Sequence, residues 1–207
     1  MARVLVVPRE KLFKEKHFTG FCQSSEFNFL ECIEKNGEFA ERNEELENNR
    51  ELLQIIPYVW IVDKGKGRVF VYRRASKESN YQEKRLFGKW SGGVGGHIEV
   101  RDGENSNAFY AGMRREIEEE VSIKNYKQPI IIGYLNTENE TGSVYKVHFG
   151  VVGVLETSEE IQRNNEELAQ TMFLTPSEVD KLFENERENV EVWSLVSWPH
   201  VRKIILS

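Results

Sequence analysis

The sequence predicts an α+β fold in which a mixed β-sheet is combined with helices and preceded by a small N-terminal extension. One observation is a set of runs rich in β-branched and aromatic residues, typical of strands, at 3–8, 55–63, 68–74, 129–136 and 143–156. A second is that residues 107–121 contain no proline and place apolar side chains four residues apart, the spacing of an amphipathic helix. A chain of 207 residues, 39% of them hydrophobic, is long enough for one full core plus an appendage, so one domain with an extension is expected.

The N-terminal extension is predicted to span residues 1–54, ahead of a main domain at 55–207. Residues 3–8 are a β-branched run ended by Pro8, which predicts a strand at a sheet edge. An edge strand is compatible with a homodimer. Residues 38–53 are rich in Glu, Asn and Arg, which favours a surface helix or a connector and places the boundary after them.

The runs 55–63 and 68–74 are joined by a Lys-Gly-Lys-Gly turn and therefore predict a hairpin. The second run ends in Arg73 and Arg74, and Arg85 follows beyond a polar loop. Guanidinium groups bind phosphate as bidentate donors, so these three arginines are candidates for substrate binding. A solvated strand end is an equally good interpretation of the same residues.

Four glutamates near the end of the predicted helix do not all face the same way. Angles around the helix advance by about 100° per residue and are measured here from Met113 on the apolar stripe. Glu120, Glu116 and Glu119 then lie at roughly −20°, −60° and −120°. Glu118 lies at roughly +140°, away from the others. Three carboxylates therefore line one side of the helix, and one of them borders the core.

Carboxylates crowded beside a core repel one another unless a cation, water or a raised pKa relieves them. Oxygen ligands suit Mg²⁺ or Mn²⁺, with water and substrate phosphates completing the coordination. A solvated face is the common reading of a Glu-rich helix, but the glycine-rich run 92–96 before it favours a loop folded back on the helix. No Lys-Ser or Lys-Thr of a P-loop and no dinucleotide-binding fingerprint accompanies these glycines.

The last third of the chain predicts a polar helix-like piece at 157–165, a strand around 172–174 and a helix that begins at Pro176, with Thr175 as its cap. A final helix or strand contains Pro199, which is expected to interrupt a continuous helix.

Composition limits the partners. The chain has 207 residues, 39% of them hydrophobic, and a net charge of −6, which argues against nonspecific binding to nucleic acid or to a membrane. A phosphate-bearing substrate would then need a metal and local arginines. Cys22 and Cys32 lack further residues of a zinc site, so a reduced, cytoplasmic protein is expected. No stretch resembles a signal peptide or a membrane span.

The run Arg-Glu-Ile-Glu-Glu-Glu-Val-Ser-Ile at 115–123 resembles the signature of the Nudix hydrolase family. That signature is Gly, five residues, Glu, seven residues, then Arg-Glu, an aliphatic residue, any residue, Glu-Glu, any residue, Gly and an aliphatic residue. Ser122 stands where the family has Gly. With Gly96 and Glu104 as the first two positions, the preceding loop is five residues longer than the pattern, which leaves the role of Glu104 open.

The resemblance implies a Nudix-type α/β/α sandwich and Mg²⁺-dependent hydrolysis, with Mn²⁺ as a substitute, of a pyrophosphate bond in a nucleoside diphosphate linked to another group. It implies Glu116, Glu119 and Glu120 as metal ligands, with Arg115 orienting Glu116. Either a helical glutamate or Glu167 would act as the base. The chain opens with a VLVVPR segment and continues through FVYRR and GKWSGGVGGHIE segments. In these it resembles a bacterial Nudix subgroup with an N-terminal extension, often labelled phosphoesterase.

Three points stay open within this resemblance. Glu166, Glu138 and Glu140 are rivals of Glu167 as the base. A nucleotide-binding regulatory module without turnover is a second candidate function, although the intact Arg-Glu and Glu-Glu pairs argue against it. An isoprenoid diphosphate isomerase needs a cysteine in the catalytic domain, and both cysteines precede residue 55.

Overall fold

The computed structural model describes residues 2–75, 86–103, 108–140, 144–159, 161–163 and 168–207. Its elements in chain order are β1 (Arg3–Pro8), α1 (Arg9–Leu12), β2 (Gly20–Gln23), α2 (Phe29–Asn36), β3 (Glu38–Glu41), β4 (Leu52–Asp63), β5 (Arg68–Arg74), β6 (Trp90–Ser91), β7 (Gly93–Val94), α3 (Ala108–Glu120), β8 (Val121–Ser122), β9 (Ile130–Asn136), α4 (Val144–Val147), β10 (His148–Glu156), β11 (Gln162–Arg163), β12 (Leu168–Leu174), α5 (Pro176–Asn185) and α6 (Val192–Leu206). The predicted α+β class is confirmed.

The chain forms two compact units, each assembled from segments that are distant in sequence. Unit 1 comprises Met1–Tyr58, Gly95–Glu116 and Ile131–Val152, and unit 2 comprises Val59–Val94, Ile117–Ile130 and Gly153–Ser207. The long elements β4, α3 and β10 contribute residues to both units.

In unit 1 the strands follow the order β4, β10, β9, β2, with β1 paired to β4 and to β3. β1 is antiparallel to β3 from Arg3 opposite Glu41 onwards, and its last residues are antiparallel to the start of β4. The predicted strand at 3–8 is therefore confirmed, but its predicted edge position is wrong because it has a partner on each side. The homodimer stays a prediction, but β1 no longer supports it as an edge strand.

The stretch 38–53 differs from its prediction. It contains β3, a short 3-10 helix at Leu46–Asn48 and the first residues of β4, not a surface helix. Pairing with β1 gives the charged segment of β3 a backbone partner, and this tertiary contact outweighs its intrinsic helix preference.

Aromatic side chains of the N-terminal segment form the core of unit 1 together with β9 and β10. The ring centroid of Phe29 lies 5.1 Å from that of Tyr134 and 5.4 Å from that of Phe149. Phe13 lies 5.9 Å from Phe149 in an edge-on arrangement. Such pairs add to the gain from area burial, so the N-terminal segment is an integral layer of this unit.

In unit 2 the strand order is β12, β5, β4, and both pairings are antiparallel. The predicted hairpin of β4 and β5 is confirmed. Its turn is a 3-10 helix at Lys64–Lys66, closed by Gly67 at a φ of +60°, and Asp63 accepts a hydrogen bond from the Lys66 amide. The left-handed conformation at the end of the turn explains the glycine.

The C-terminal helices of unit 2 include one confirmed and one wrong prediction. Thr175 and Glu178 form the capping box of α5, with Pro176 in its first turn. The helix α6, however, runs through Pro199 without interruption. Burial of side chains on both sides of the proline, including Trp198 and Val201, compensates for the hydrogen bond that proline cannot donate.

Two further boundaries differ from the sequence pattern. Within the run 143–156, the described residues begin with the short helix α4, and the strand starts only at His148. At 157–165 the described residues contain no helix, and β11 instead pairs with β8. None of the described helices has both the length and the apolar character of a membrane span.

Candidate active site

The centre of the candidate site is the guanidinium of Arg115, near the end of the unit 1 part of α3. It donates to both oxygens of Asp102, from Nε at 2.7 Å and from Nη2 at 2.9 Å. Nη1 donates to Glu116 Oε1 at 2.6 Å, and Nη2 also donates to the main-chain carbonyl of His97 at 2.8 Å. Arg115 therefore joins the carboxylate of Glu116 to the loop that precedes the helix.

The charged groups of this network stabilise one another in their ionised forms. Burial works against ionising Asp102, but hydrogen bonds from Arg115 and from the Glu99 amide hold its pKa below the usual value. Burial likewise disfavours the charge on Arg115, and the two carboxylates overcome this and raise its pKa. The guanidinium therefore stays charged at every working pH.

Glycines bring the loop against its neighbours. A Cβ at Gly96 would lie 2.4 Å from Glu116 Oε2, and one at Gly95 would lie 1.9 Å from the Pro57 carbonyl oxygen. At position 95 only glycine lets the backbone approach the Pro57 carbonyl this closely, and its φ of +152° also favours glycine. The glycine-rich run thus forms a cradle for the Glu116 carboxylate, as the sequence pattern indicated.

Asp102 is the site residue that the sequence reasoning missed. Five residues separate it from Gly96, which is the spacing in the family signature, and it binds Arg115. The signal was the spacing itself, but Asp stands where the signature has Glu. The five extra residues of the loop then all fall between Asp102 and Arg115. Glu104 lies outside the described residues.

The helix α3 continues past Glu116 into unit 2 and carries the other predicted ligands. Glu120 is buried, whereas Glu118 and Glu119 are exposed. Glu118 accepts a hydrogen bond from the Tyr126 hydroxyl at 3.2 Å, so its side chain serves a different contact from the network of Arg115. Ser106 and Asn107, whose side chains are of the type that caps a helix N-terminus, lie outside the described residues.

The donor chemistry of α3 fits a hard divalent cation. Carboxylates at positions i, i+3 and i+4 share one side of a helix, and the first of them lies against the backbone of Gly96. Within the described ranges, no three His, Cys, Asp or Glu side chains converge into a preformed metal site. Mg²⁺ is typically held by one or two carboxylates, with water and substrate phosphates completing its shell.

The predicted phosphate-binding arginines have different environments. In unit 2, Arg73 is exposed, donates to the Gly88 carbonyl and lies over the Trp90 ring. Arg74 is buried and forms an ion pair with Glu191, which also accepts from Ser91. Arg74 therefore has a structural role, and substrate contact by either arginine stays a prediction. Arg85 lies outside the described residues.

Among the candidate bases outside α3, two lie in described parts of the chain. Glu138 accepts hydrogen bonds from Arg9 and from His17. Although burial opposes it, the Arg9 charge lowers the pKa of Glu138, which makes this carboxylate a weaker base. Glu140 is exposed, and Glu166 and Glu167 lie outside the described residues.

Comparison with known proteins matches this chain to the NUDIX domain over residues 53–194. Protein YmaB of Bacillus subtilis (strain 168) is 30% identical over 202 residues, which cover 92% of this chain and 93% of that protein. The crystal structure of Tm1382, a candidate Nudix hydrolase, is similar with a TM-score of 0.79 and 27% identity, over 98% of this chain and 99% of the other. DR0079 from Deinococcus radiodurans, at 16% identity and a TM-score of 0.49 over 71% of this chain and 81% of its own, is more distant.

Proposed function

The chain belongs to the NUDIX domain family and is a hydrolase of pyrophosphate bonds, and from this premise we propose that its substrate is a nucleoside diphosphate linked to another group. We propose Mg²⁺ as the cofactor, with Mn²⁺ as a substitute. The observation that carries the proposal is the Arg115–Glu116 pair held against Gly96, at the start of a helical face that continues to Glu119 and Glu120.

The residues of α3 have separate roles in this mechanism. Glu116, Glu119 and Glu120 would hold the cation, which when bound neutralises phosphate oxygens and acidifies a water molecule. Arg115 fixes the orientation of Glu116. A helical glutamate or Glu167 accepts the proton of the attacking water.

Charge on the phosphate groups requires further cations from the protein, because the chain carries a net charge of −6. Arg73, which is exposed, and Arg85 are proposed to bind the departing phosphate. Arg74 is not part of this proposal, because it is buried and ion-paired with Glu191.

The test compares the wild-type protein with Glu120→Gln, and uses Glu118→Gln as the matched control from the same helix. ADP-ribose, nucleotide sugars, dinucleoside polyphosphates and nucleoside triphosphates are incubated with and without Mg²⁺, and products are separated by chromatography. We expect Glu120→Gln to lower turnover by at least about 100-fold while Glu118→Gln stays within about threefold.

The outcome of this panel separates the candidate functions. Metal-dependent turnover of one class, lost in Glu120→Gln, would identify the substrate class. Full activity in Glu120→Gln would mean that the metal ligands are misassigned. Tight calorimetric binding of one nucleotide that survives incubation would favour the regulatory module.

A further inference from the structure

Gln54, His97 and His148 form a cluster of polar side chains that the proposed mechanism does not use. Gln54 and His148 are 0% and 4% exposed. His97 Nε2 lies 2.8 Å from Gln54 Oε1 and 3.3 Å from His148 Nε2. The rings of the two histidines meet nearly edge to face, with centroids 5.3 Å apart. The side chain of His97 is thus held between β4 and β10.

Hydrogen-bond chemistry determines how this cluster is connected. A neutral imidazole nitrogen offers either one proton or one lone pair, so His97 Nε2 cannot bond fully to both neighbours. A proton on His97 Nε2 that points at Gln54 Oε1 gives the shorter contact a true hydrogen bond, with His148 as a weak second acceptor. Burial, together with nearby His148 and two arginines, lowers the pKa of His97 and keeps the ring neutral.

The amide of Gln54 depends on this bond. Its Nε2 is buried and has no hydrogen-bond partner in the described part of the chain. The oxygen and the nitrogen of a buried side-chain amide normally both have hydrogen-bond partners. Because the nitrogen of Gln54 has none among the described residues, the contact of its oxygen with His97 alone orients the amide. The side chains of Gln54 and His97 therefore hold each other in position.

The main chain of His97 contacts the candidate site. The carbonyl of His97 accepts from Arg115 Nη2, and the preceding residue, Gly96, abuts the Glu116 carboxylate. A shift of His97 would therefore move an acceptor of Arg115 and the cradle of Glu116 together. The side chain of His97 contacts strands of the sheet, and its main chain contacts Arg115. A single residue therefore links the sheet to the candidate catalytic pair.

We propose that His97, anchored by Gln54 and His148, is a positioning residue for Arg115 and Glu116. This inference rests on the proposed function for its kinetic part only. The groups that surround a metal-binding side chain typically change affinity or activity by about 10- to 100-fold when removed.

The variants are chosen to separate position from packing. His97→Leu keeps a similar volume without a hydrogen-bond donor, whereas His97→Gln restores an N–H near the position of Nε2. His200→Leu, at a partly exposed position of α6, is the matched histidine control. We expect His97→Leu to lower kcat by about 10- to 100-fold with KM nearly unchanged. His97→Gln should recover most of that loss, and His200→Leu should equal the wild type.

A second readout needs neither metal nor substrate. In ¹⁵N-labelled protein, the Arg115 Nε–H signal is identified by its loss in Arg115→Lys. Since Arg115 donates this proton to Asp102, we expect its exchange with solvent to be slow in the wild type. We expect exchange at least about tenfold faster in His97→Leu and near-normal exchange in His97→Gln.

These readouts distinguish the two proposals. If the wild type hydrolyses nothing in the panel, the proposed function fails and the exchange measurement alone decides the role of His97. Unchanged exchange in His97→Leu, or equal losses in His97→Leu and His97→Gln, would overturn the positioning role. A fall in thermal midpoint that parallels the loss of kcat would also overturn it, because His97 would then be only structural.

Discussion

Arg115 shows what a single residue contributes to this site. Its guanidinium has four described acceptor contacts, two on Asp102, one on Glu116 and one on the His97 carbonyl. The Arg-Glu pair was recognisable from the sequence because both residues lie in the signature. The role of Asp102 was not recognised, because a lengthened loop and an Asp in place of Glu obscured the spacing.

Asp102→Asn tests how much the ion pair of Asp102 with Arg115 stabilises the protein. The Asp102 side chain is 3% exposed, and the amide keeps the shape of the carboxylate but loses its charge and one acceptor. We expect a loss of about 2 kcal/mol in the free energy of unfolding at pH 7, measured by urea denaturation. Asp180→Asn, in an ion pair with Arg202 whose side chains are about 40% exposed, is the control and should cost less than about 1 kcal/mol.

The same variant predicts a pH dependence. Because the pKa of Asp102 is lowered in the folded state, its ion pair stabilises the protein above the unfolded pKa of about 4. That advantage over Asp102→Asn should shrink as the pH falls through the folded pKa. Urea denaturation of both proteins between neutral and acid pH measures this, and a constant difference in stability would contradict the assignment.

Among the elements, α3 agrees best with its sequence pattern, and the first part of the chain agrees least. The four-residue apolar spacing located the helix and separated Glu118 from the other glutamates. The stretch 38–53 was misread because its charged residues favour helix locally, whereas pairing of β3 with β1 determines its structure. Local preference is informative only where tertiary pairing does not oppose it.

The continuity of α6 rests on contacts within unit 2 that can be tested singly. Ser197 Oγ accepts from the buried Trp60 indole at 2.9 Å and donates to the Trp193 carbonyl. Ser197→Ala leaves the indole N–H unsatisfied, so we expect about 1–3 kcal/mol of destabilisation in chemical unfolding. Ser177→Ala, on the exposed face of α5, is the control. If Ser197→Ala had an effect as small as that of Ser177→Ala, the Trp60 indole would have found another hydrogen-bond partner.

For the whole molecule, the N-terminal segment is part of the fold that the chain shares with its relatives. The NUDIX match begins at residue 53, whereas the similarity to YmaB and to Tm1382 covers 92% and 98% of the chain. The aromatic rings and strand pairings of unit 1 explain this, because β1 and Phe29 complete a sheet and a core. The predicted boundary at 54 stays a prediction.

Phe29→Ala tests this integration. The side chain is fully buried among Tyr134, Phe149 and other rings, so its removal should cost about 3–5 kcal/mol in urea denaturation followed by far-UV circular dichroism. Phe27→Ala, two residues away and partly exposed, should cost clearly less. If the segment were an independent appendage, Phe29→Ala would leave the main transition unchanged.

The sequence by itself determined the α+β class, the helix with its carboxylate face, the β4–β5 hairpin, the α5 cap and the family, because these depend on residue spacing within short stretches. Only the tertiary structure decided that Asp102 binds Arg115, that Arg74 is occupied by Glu191, that β1 is paired on both sides and that His97 is held between β4 and β10. The contact of Asp102 with Arg115 was obscured by the lengthened loop and by Asp in place of Glu. The other contacts join residues distant in sequence, and no local pattern specifies which distant partner a side chain will meet.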